Sequence, residues 1–247
     1  MTIDINNKII LVTGSNRGIG KVMVETFIEQ GVAKVYAAVR KLETAASFVK
    51  QYGPKVVPIQ IDLADPKSIT AAAEQANDVE IVVNNAGAFQ GTSPLSENAI
   101  AAIQFDMNIN VYGLIHMAQA FSPILKANGG GAFVQVNSVV SLKTFAKFAT
   151  YSASKAAAYA ITQALRDLLS KQGTAVLSVH PGPIATDMGD AAGLTSIAES
   201  PKLVADGIIK ALKVGDFHVF PDSLAKQIGS AYQSFASNVI DAKMSER

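Results

Sequence analysis

Tyr151 and Lys155 stand four residues apart, and Ser138 lies one short loop upstream. Residues at this spacing share a helix face, displaced by roughly one turn, ~6 Å of rise. If one helix carries both, an ammonium sits near a phenol oxygen. A free tyrosine titrates at about pH 10 and is a poor acid–base catalyst near neutrality. A cation at ~4 Å in an effective dielectric of ~20 favours the phenolate by roughly 4 kcal/mol, and desolvation opposes this. Tyr151 is therefore a candidate proton donor to a carbonyl, or acceptor from an alcohol. Ser138 can offer its hydroxyl to the same oxygen. Long helices also produce Tyr-x-x-x-Lys by chance, so the pair acquires meaning only from the elements that position it.

The first such element is Lys8 to Val12, a β-branched run that reads as a buried strand. It runs into Thr13-Gly14-Ser15-Asn16-Arg17-Gly18-Ile19-Gly20, and an apolar-periodic segment follows from Ile19 to Gln30, with Gly31 as its stop. Strand, glycine loop and helix start in that order form a phosphate cradle. Glycines let the backbone approach a pyrophosphate, and the helix start supplies N–H donors. The next strand, Lys34 to Val39, ends at Arg40 and Lys41, about 20 residues on. An acidic side chain there grips a ribose 2′-hydroxyl, whereas an arginine accommodates a 2′-phosphate. Arg40, with Arg17 as a second cation, favours NADP(H); Glu43 leaves NAD open.

The bulk numbers narrow the classes. The chain has 247 residues, 49% hydrophobic, with a net charge of +1. Length and core fit one α/β domain over 1–247, and the charge gives no electrostatic case for nucleic acid or an anionic membrane. There are no cysteines, and the three histidines, His116, His180 and His218, lack metal-ligand spacing, so no metal is expected. The N-terminus lacks the regions of a signal peptide. The uncharged run Met107 to Leu125 carries Asn108, Asn110, His116, Gln119 and Pro123, and reads as a buried helix, not a membrane span. The expected location is cytoplasmic.

Strands and helices alternate onward. Helix is expected over Thr44–Tyr52, strand over Val56–Ile61, helix over Pro66–Ala76 and strand over Val79–Val83. A long helix, capped by Ser96 or Asn98, runs to about Lys126, and Gly129-Gly130-Gly131 turns the chain into strand Ala132–Asn137. A helix from Thr150 or Tyr151 to about Lys171, strand Thr174–Val179, helix Pro201–Val214 and strand Asp216–Pro221 follow. The tail is expected helical from Ser223 to about Ala242, with Ile228, Tyr232, Phe235 and Val239 near an apolar stripe. The alternation predicts a Rossmann-type, doubly wound, mostly parallel seven-stranded sheet with helices on both faces. In such sheets ligands sit beyond the strand carboxyl ends. Gly14, Arg40, Asp62, Asn84, Ser138 and His180-Pro181-Gly182 all fall there.

Together these motifs resemble the short-chain dehydrogenase/reductase family, in its single-domain branch of about 250 residues, and the resemblance spans nearly the whole chain. Residues 13–20 match its cofactor loop, and Asp62-Leu63 resembles its adenine-contacting pair. Asn84-Asn85-Ala86-Gly87 is similar to its motif after the fourth strand. Asn110, three residues before Gly113, resembles its helix asparagine, with Asn108 as a close rival. Pro181-Gly182 with Ile184 and Thr186 resembles the segment that holds the nicotinamide carboxamide. The resemblance implies hydride transfer between a nicotinamide and a carbonyl or alcohol carbon. It makes Tyr151 the general acid or base, Lys155 the group that lowers its pKa and binds the nicotinamide ribose, Ser138 the holder of substrate oxygen, and Asn110 the keeper of a relay water. Ser15, Asn16, Ala86 and Gly87 join the cofactor set. It also implies pairing of the helices around 100–125 and 151–170 into a homodimer or homotetramer.

The segment from Asp187 to Ser200 reads as a short mobile lid, and Phe89, Phe145 and Met188 as lining for a neutral or hydrophobic carbonyl substrate. Lys143 and Lys147 read as solvated, and His180 as structural. NADPH-type recognition favours carbonyl reduction, with alcohol oxidation as the alternative. A nucleotide-binding sensor that has lost catalysis would keep the glycine loop and lose the tyrosine. Length and glycine spacing disfavour a sugar epimerase, and the Tyr-to-Lys interval disfavours an enoyl reductase.

Overall fold

Seven short runs rich in valine, isoleucine and alanine form one sheet. They are β1 (Ile9–Thr13), β2 (Lys34–Val39), β3 (Val56–Gln60), β4 (Ile81–Asn84), β5 (Ala132–Val136), β6 (Ala175–Val179) and β7 (His218–Val219). Their order is β3-β2-β1-β4-β5-β6-β7. Every pairing is parallel, so the sheet is wholly rather than mostly parallel. The computed structural model describes residues 1–241.

Parallel strands need covered faces, and the side chains alternate accordingly. Ile10, Val12, Ile81, Val83 and Val134 belong to one cluster with Met23, Val24 and Phe27 of α1 (Gly18–Glu29), joined by Val204, Ile208 and Leu212 of a helix at Lys202–Val214. Leu11, Val82 and Phe133 face the other way. They pack with Ile69 of a helix at Pro66–Gln75, Leu114, Met117 and Phe121 of one at Gly113–Ala127, and Ala158 and Leu169 of one at Ala149–Ser170. Phe27, Phe121 and Phe133 are among the largest fully buried side chains. Each such side chain contributes about 1.5–3 kcal/mol by leaving water. In chain order the α-helices are α1, α2 (Ala46–Tyr52), α3 (Pro66–Gln75), α4 (Ala99–Met107), α5 (Gly113–Ala127), α6 (Ala149–Ser170), α7 (Asp187–Ala191), α8 (Lys202–Val214) and α9 (Ser223–Phe235).

The structure corrects several sequence expectations. The helix expected to run unbroken to Lys126 is split by a π-helical turn, Asn108–Tyr112, between α4 and α5. Its start is not capped by a side chain of either candidate. Asn98 sits at the N-cap without a side-chain bond, and the Ser96 hydroxyl accepts from Thr92 instead. The segment at Leu42–Ala45 is a 3-10 turn before α2. β7 shrinks to two residues because Pro221 has no N–H for a ladder, and Asp222 already caps α9 through the Ala225 N–H. The tail turns π-helical over Ala236–Ile240, and Ala242 lies outside the described residues.

Candidate active site

The glycine loop leaves β1 at its carboxyl end. Gly14 and Gly18 have φ of 65° and 53°, which side-chain-bearing residues adopt only with strain. A Cβ on Gly20 would collide with the Gly14 carbonyl oxygen, so α1 could not begin there with any larger residue. Arg17 caps α1 with no side-chain bond, and the first turn carries no acidic residue. By contrast α3, α7 and α9 are capped by Asp65, Thr186 and Asp222. The start of α1 thus keeps N–H donors and a positive dipole aimed past the strands, the arrangement an anionic phosphate fits. Thr13 ties this loop to the next strand. Its hydroxyl oxygen accepts from the Asn85 and Ala86 amides, both at 2.9 Å, and donates to Asn84 Oδ1. Asn84 in turn donates to Gln135 at 2.7 Å, so its side chain is held within the sheet. Ser15 is buried and donates to the Ala38 carbonyl, while Asn16 is exposed.

The fold brings Tyr151, Lys155 and Asn110 together. Tyr151 and Lys155 share a face of α6, with Lys155 Nζ 5.8 Å from the Tyr151 ring centre. Lys155 is 4% exposed and donates to the Val136 carbonyl at 3.0 Å. The Asn110 amide closes a clasp on the segment after β4, accepting from the Ala88 N–H and donating to the Ala88 carbonyl and to Ser154. Its rival Asn108 is exposed. A Cβ on Gly87 would stand 3.1 Å from Asn110 Oδ1 and 3.5 Å from Lys155 Nζ, which places this glycine against both. Gly113 has a packing reason of its own, because an added Cβ would stand 2.8 Å from Leu63 Cβ. Leu63 is therefore buried against α5, while Asp62 accepts from the Ala64 amide.

Ser138 does not bond Tyr151. Its hydroxyl donates to the Pro181 carbonyl at 3.2 Å and accepts from the Val140 amide. Behind it lies a chain that sequence reasoning missed. Asn137 donates to the Ser178 hydroxyl, which meets His180 Nε2 at 2.8 Å. His180 Nδ1 meets the Ser141 hydroxyl at 2.9 Å, and that hydroxyl donates to the Ser138 carbonyl. This order is self-consistent when Nδ1 carries the proton. His180 is 0% exposed, and burial pushes its pKa down to about 3, so it stays neutral. His180 thus fixes the backbone that carries Ser138, and the only sequence signal was a histidine at a strand end before Pro-Gly.

The electrostatics correct a second expectation. Lys155 does not lower the Tyr151 pKa in this structure. Burial, and then the Asp106 carboxylate, hold the phenol well above its ordinary range. Burial pushes Lys155 down to about 8, with Asp106 acting in the opposite sense.

The remaining candidates lie on the loops that follow the other strands. Val139 N–H donates to the Pro181 carbonyl, and Gly182 N–H donates to Asp222 at 2.7 Å, so the Pro-Gly turn is pinned to the start of α9. Ile184 is buried and bridges to Glu199, and Thr186 caps α7 by accepting from Gly189. The lid segment is anchored at both ends. Glu199 accepts from Ser223 N–H, and Asp187 pairs with Arg17 at 2.8 Å across the mouth of the glycine loop. Ile19, at the start of α1, is half-buried against the sheet. Phe89 packs edge-on against Tyr151 at 5.0 Å and against Phe148 at 5.4 Å. Phe145 and Met188 are each 40% exposed. Arg40 is exposed at the end of β2, its carbonyl held by Gln60.

Comparison with known proteins places this geometry. The family model for short chain dehydrogenases matches residues 8–195. A short chain dehydrogenase from Burkholderia cenocepacia, solved in complex with NADP, superposes with a TM-score of 0.86 at 33% identity, over 96% of this chain and 99% of that one. A 3alpha-hydroxysteroid dehydrogenase of Mediterraneibacter gnavus is 31% identical over 85% of this chain and 84% of its own length. An NADP-dependent 3-hydroxy acid dehydrogenase of Schizosaccharomyces pombe is 27% identical over 74% of each chain. The chain belongs to the short-chain dehydrogenase family and is an NAD(P)-dependent oxidoreductase acting on CH–OH or C=O groups.

Proposed function

We propose that this chain, working as one domain over residues 1–247, is an NADPH-dependent reductase of a ketone or aldehyde with Tyr151 as the proton donor. The observation that carries the reading is the placement of the Tyr151 and Lys155 pair. Tyr151 and Lys155 share one helix face behind Gly87, at the carboxyl ends of the strands that hold the uncapped glycine loop. Burial and Asp106 keep the phenol protonated at neutral pH, the form that a proton donor to a carbonyl must hold. Alcohol oxidation is the alternative direction.

Residues 14–20 would cradle the pyrophosphate, with the uncapped N–H groups of α1 as donors. Arg40, with Arg17, would meet a 2′-phosphate, and Asp62-Leu63 the adenine. Asn84, Ala86 and Gly87 would border the ribose, which Lys155 would bond. Pro181, Gly182, Ile184 and Thr186 would hold the carboxamide end. When bound, NADPH supplies the hydride. Ser138 would turn its hydroxyl from the Pro181 carbonyl to the substrate oxygen, and Asn110 would hold a water for proton return through Lys155. Phe89, Phe145 and Met188 supply an apolar lining suited to a neutral carbonyl compound. The relatives' names, an NADP complex among them, support the phosphate-bearing cofactor. Apolar side chains exposed on α4 to α6 support assembly as a homodimer or homotetramer.

The test follows NADPH absorbance with a panel of ketones, diketones and aldehydes. Turnover is expected, and Tyr151→Phe should lower it by about 10²–10⁴-fold with NADPH binding intact. If no carbonyl consumes NADPH while alcohols reduce NADP, the direction is reversed. If neither reacts, the reading fails.

A further inference from the structure

Asp106 lies on α4, one helical turn before Asn110, and is 0% exposed. A carboxylate in such a place is costly unless something in the site uses it. One oxygen, Oδ1, accepts from the Gln90 N–H at 2.9 Å. The other, Oδ2, is buried with no hydrogen-bond partner among the described residues. α4 packs on α6, and the titratable groups that face Asp106 are Tyr151 and Lys155, both on α6. The segment over it, Ala88 to Thr92, has no ionisable side chain and presents only the Gln90 amide. That segment is clasped at three points: Ala88 by Asn110, Gln90 by Asp106 and Thr92 by Thr150. Between the first two clasps sits Phe89, whose ring rests on Tyr151.

We propose that Asp106 is a positioning residue of this site: a buried carboxylate that anchors the 88–92 segment with Phe89 over the Tyr151 ring and is the counter-charge that keeps Lys155 an ammonium. The proposal rests on the reductase reading for its catalytic consequence, but not for its electrostatics. Among the described residues Lys155 otherwise has only a carbonyl for a partner, and a buried ammonium so placed releases its proton readily. Burial leaves Lys155 at about 8 even with the carboxylate favouring its charged form. Asp106 itself is pushed up to about 6 by burial, so it is ionised at neutral pH. It favours the protonated form of Tyr151 as well, and the two effects have the same sign.

The experiment reads Lys155 directly, by NMR of lysines labelled at Cε with ¹³C, with the resonance assigned through Lys155→Met. In the wild type it should inflect near pH 8, with a second, smaller inflection near pH 6 where Asp106 takes its proton. Asp106→Asn keeps an acceptor for Gln90 and deletes the charge; Asp106→Ala deletes both. In either variant that folds, the main inflection should fall by about one pH unit, the lower end of what a single opposite charge contributes. The alkaline limb of carbonyl reduction should move down with it. Asp106→Ala alone should also weaken substrate KM, since Phe89 loses its anchor. A wild-type signal with no response near pH 6, or variants that lose rate with the limb unmoved, overturns the proposal. Wild-type protein inactive on every carbonyl, with the NMR shift present, would fault the reductase reading and leave this one standing.

Discussion

Lys155 carries an ammonium where water hardly reaches, and most of the site follows from how that charge is managed. Among the described residues its one hydrogen bond is to the Val136 carbonyl, at the end of β5. The spacing from Tyr151 was legible in the sequence, because four residues on a helix define a face. The buried carboxylate behind the pair was not. Nothing in a string of letters marks Asp106 as facing inward, since apolar residues lie on all sides of α4 and leave it little amphipathic order. The assumed sign of the Tyr151 shift failed first because burial outweighs the cation, and second because the Asp106 carboxylate adds to burial. Arg40 is the contrasting case, a surface charge whose role is read from position alone. Arg40→Ala should raise KM for NADPH by about tenfold and leave KM for NADH nearly unchanged, the loss of one charge-assisted phosphate contact of about 1.4 kcal/mol. Steady-state kinetics with both cofactors check this, and equal effects on the two would remove Arg40 from phosphate recognition.

At the scale of elements, strands were legible and interruptions were not. β2 coincides with its expected span because five consecutive apolar residues, Val35 to Val39, follow Lys34 and leave no alternative. The π turn at Asn108–Tyr112 has no such signature, since it exists to satisfy contacts from elsewhere. It lets Asn110 face the Ala88 clasp while Gly113 meets Leu63. α4 and the π turn leave Ile100, Phe105 and Tyr112 exposed, and Leu168 stands exposed on α6. Four large apolar side chains on neighbouring helices favour cover by a second copy. Light scattering at micromolar concentration should therefore give a mass of two or four chains. Phe105→Lys combined with Leu168→Glu should shift it toward the monomer while leaving the melting curve cooperative. A monomeric wild type would remove the oligomer from the proposal.

Across the whole molecule, the buried imidazoles set the response to acid. His180 is sealed among Ser138, Ser141 and Ser178, and His218 bonds Tyr159 at 2.6 Å in an aromatic cluster with Phe220 and Tyr232. Burial lowers them to about 3 and about 4 from an ordinary 6.5. Below pH 6 the unfolded chain protonates both and the folded chain neither, so each subtracts stability as pH falls, by about 1.4 kcal/mol per pH unit. Asp106, raised to about 6, works in reverse: the folded protein takes that proton before the unfolded chain does. Asp78, lowered from 3.8, adds its loss only below this window. Between pH 6 and 4 the balance is two imidazoles against one carboxyl, a net loss of about 1.4 kcal/mol per pH unit. Urea unfolding at half-unit steps should show that slope. His218→Gln keeps a hydrogen-bonding group for Tyr159 and removes one proton from the balance, so its stability should be nearly flat across the same range. A wild type already flat between pH 6 and 4, or a variant as steep as the wild type, would mean that these two histidines are not held neutral by the fold.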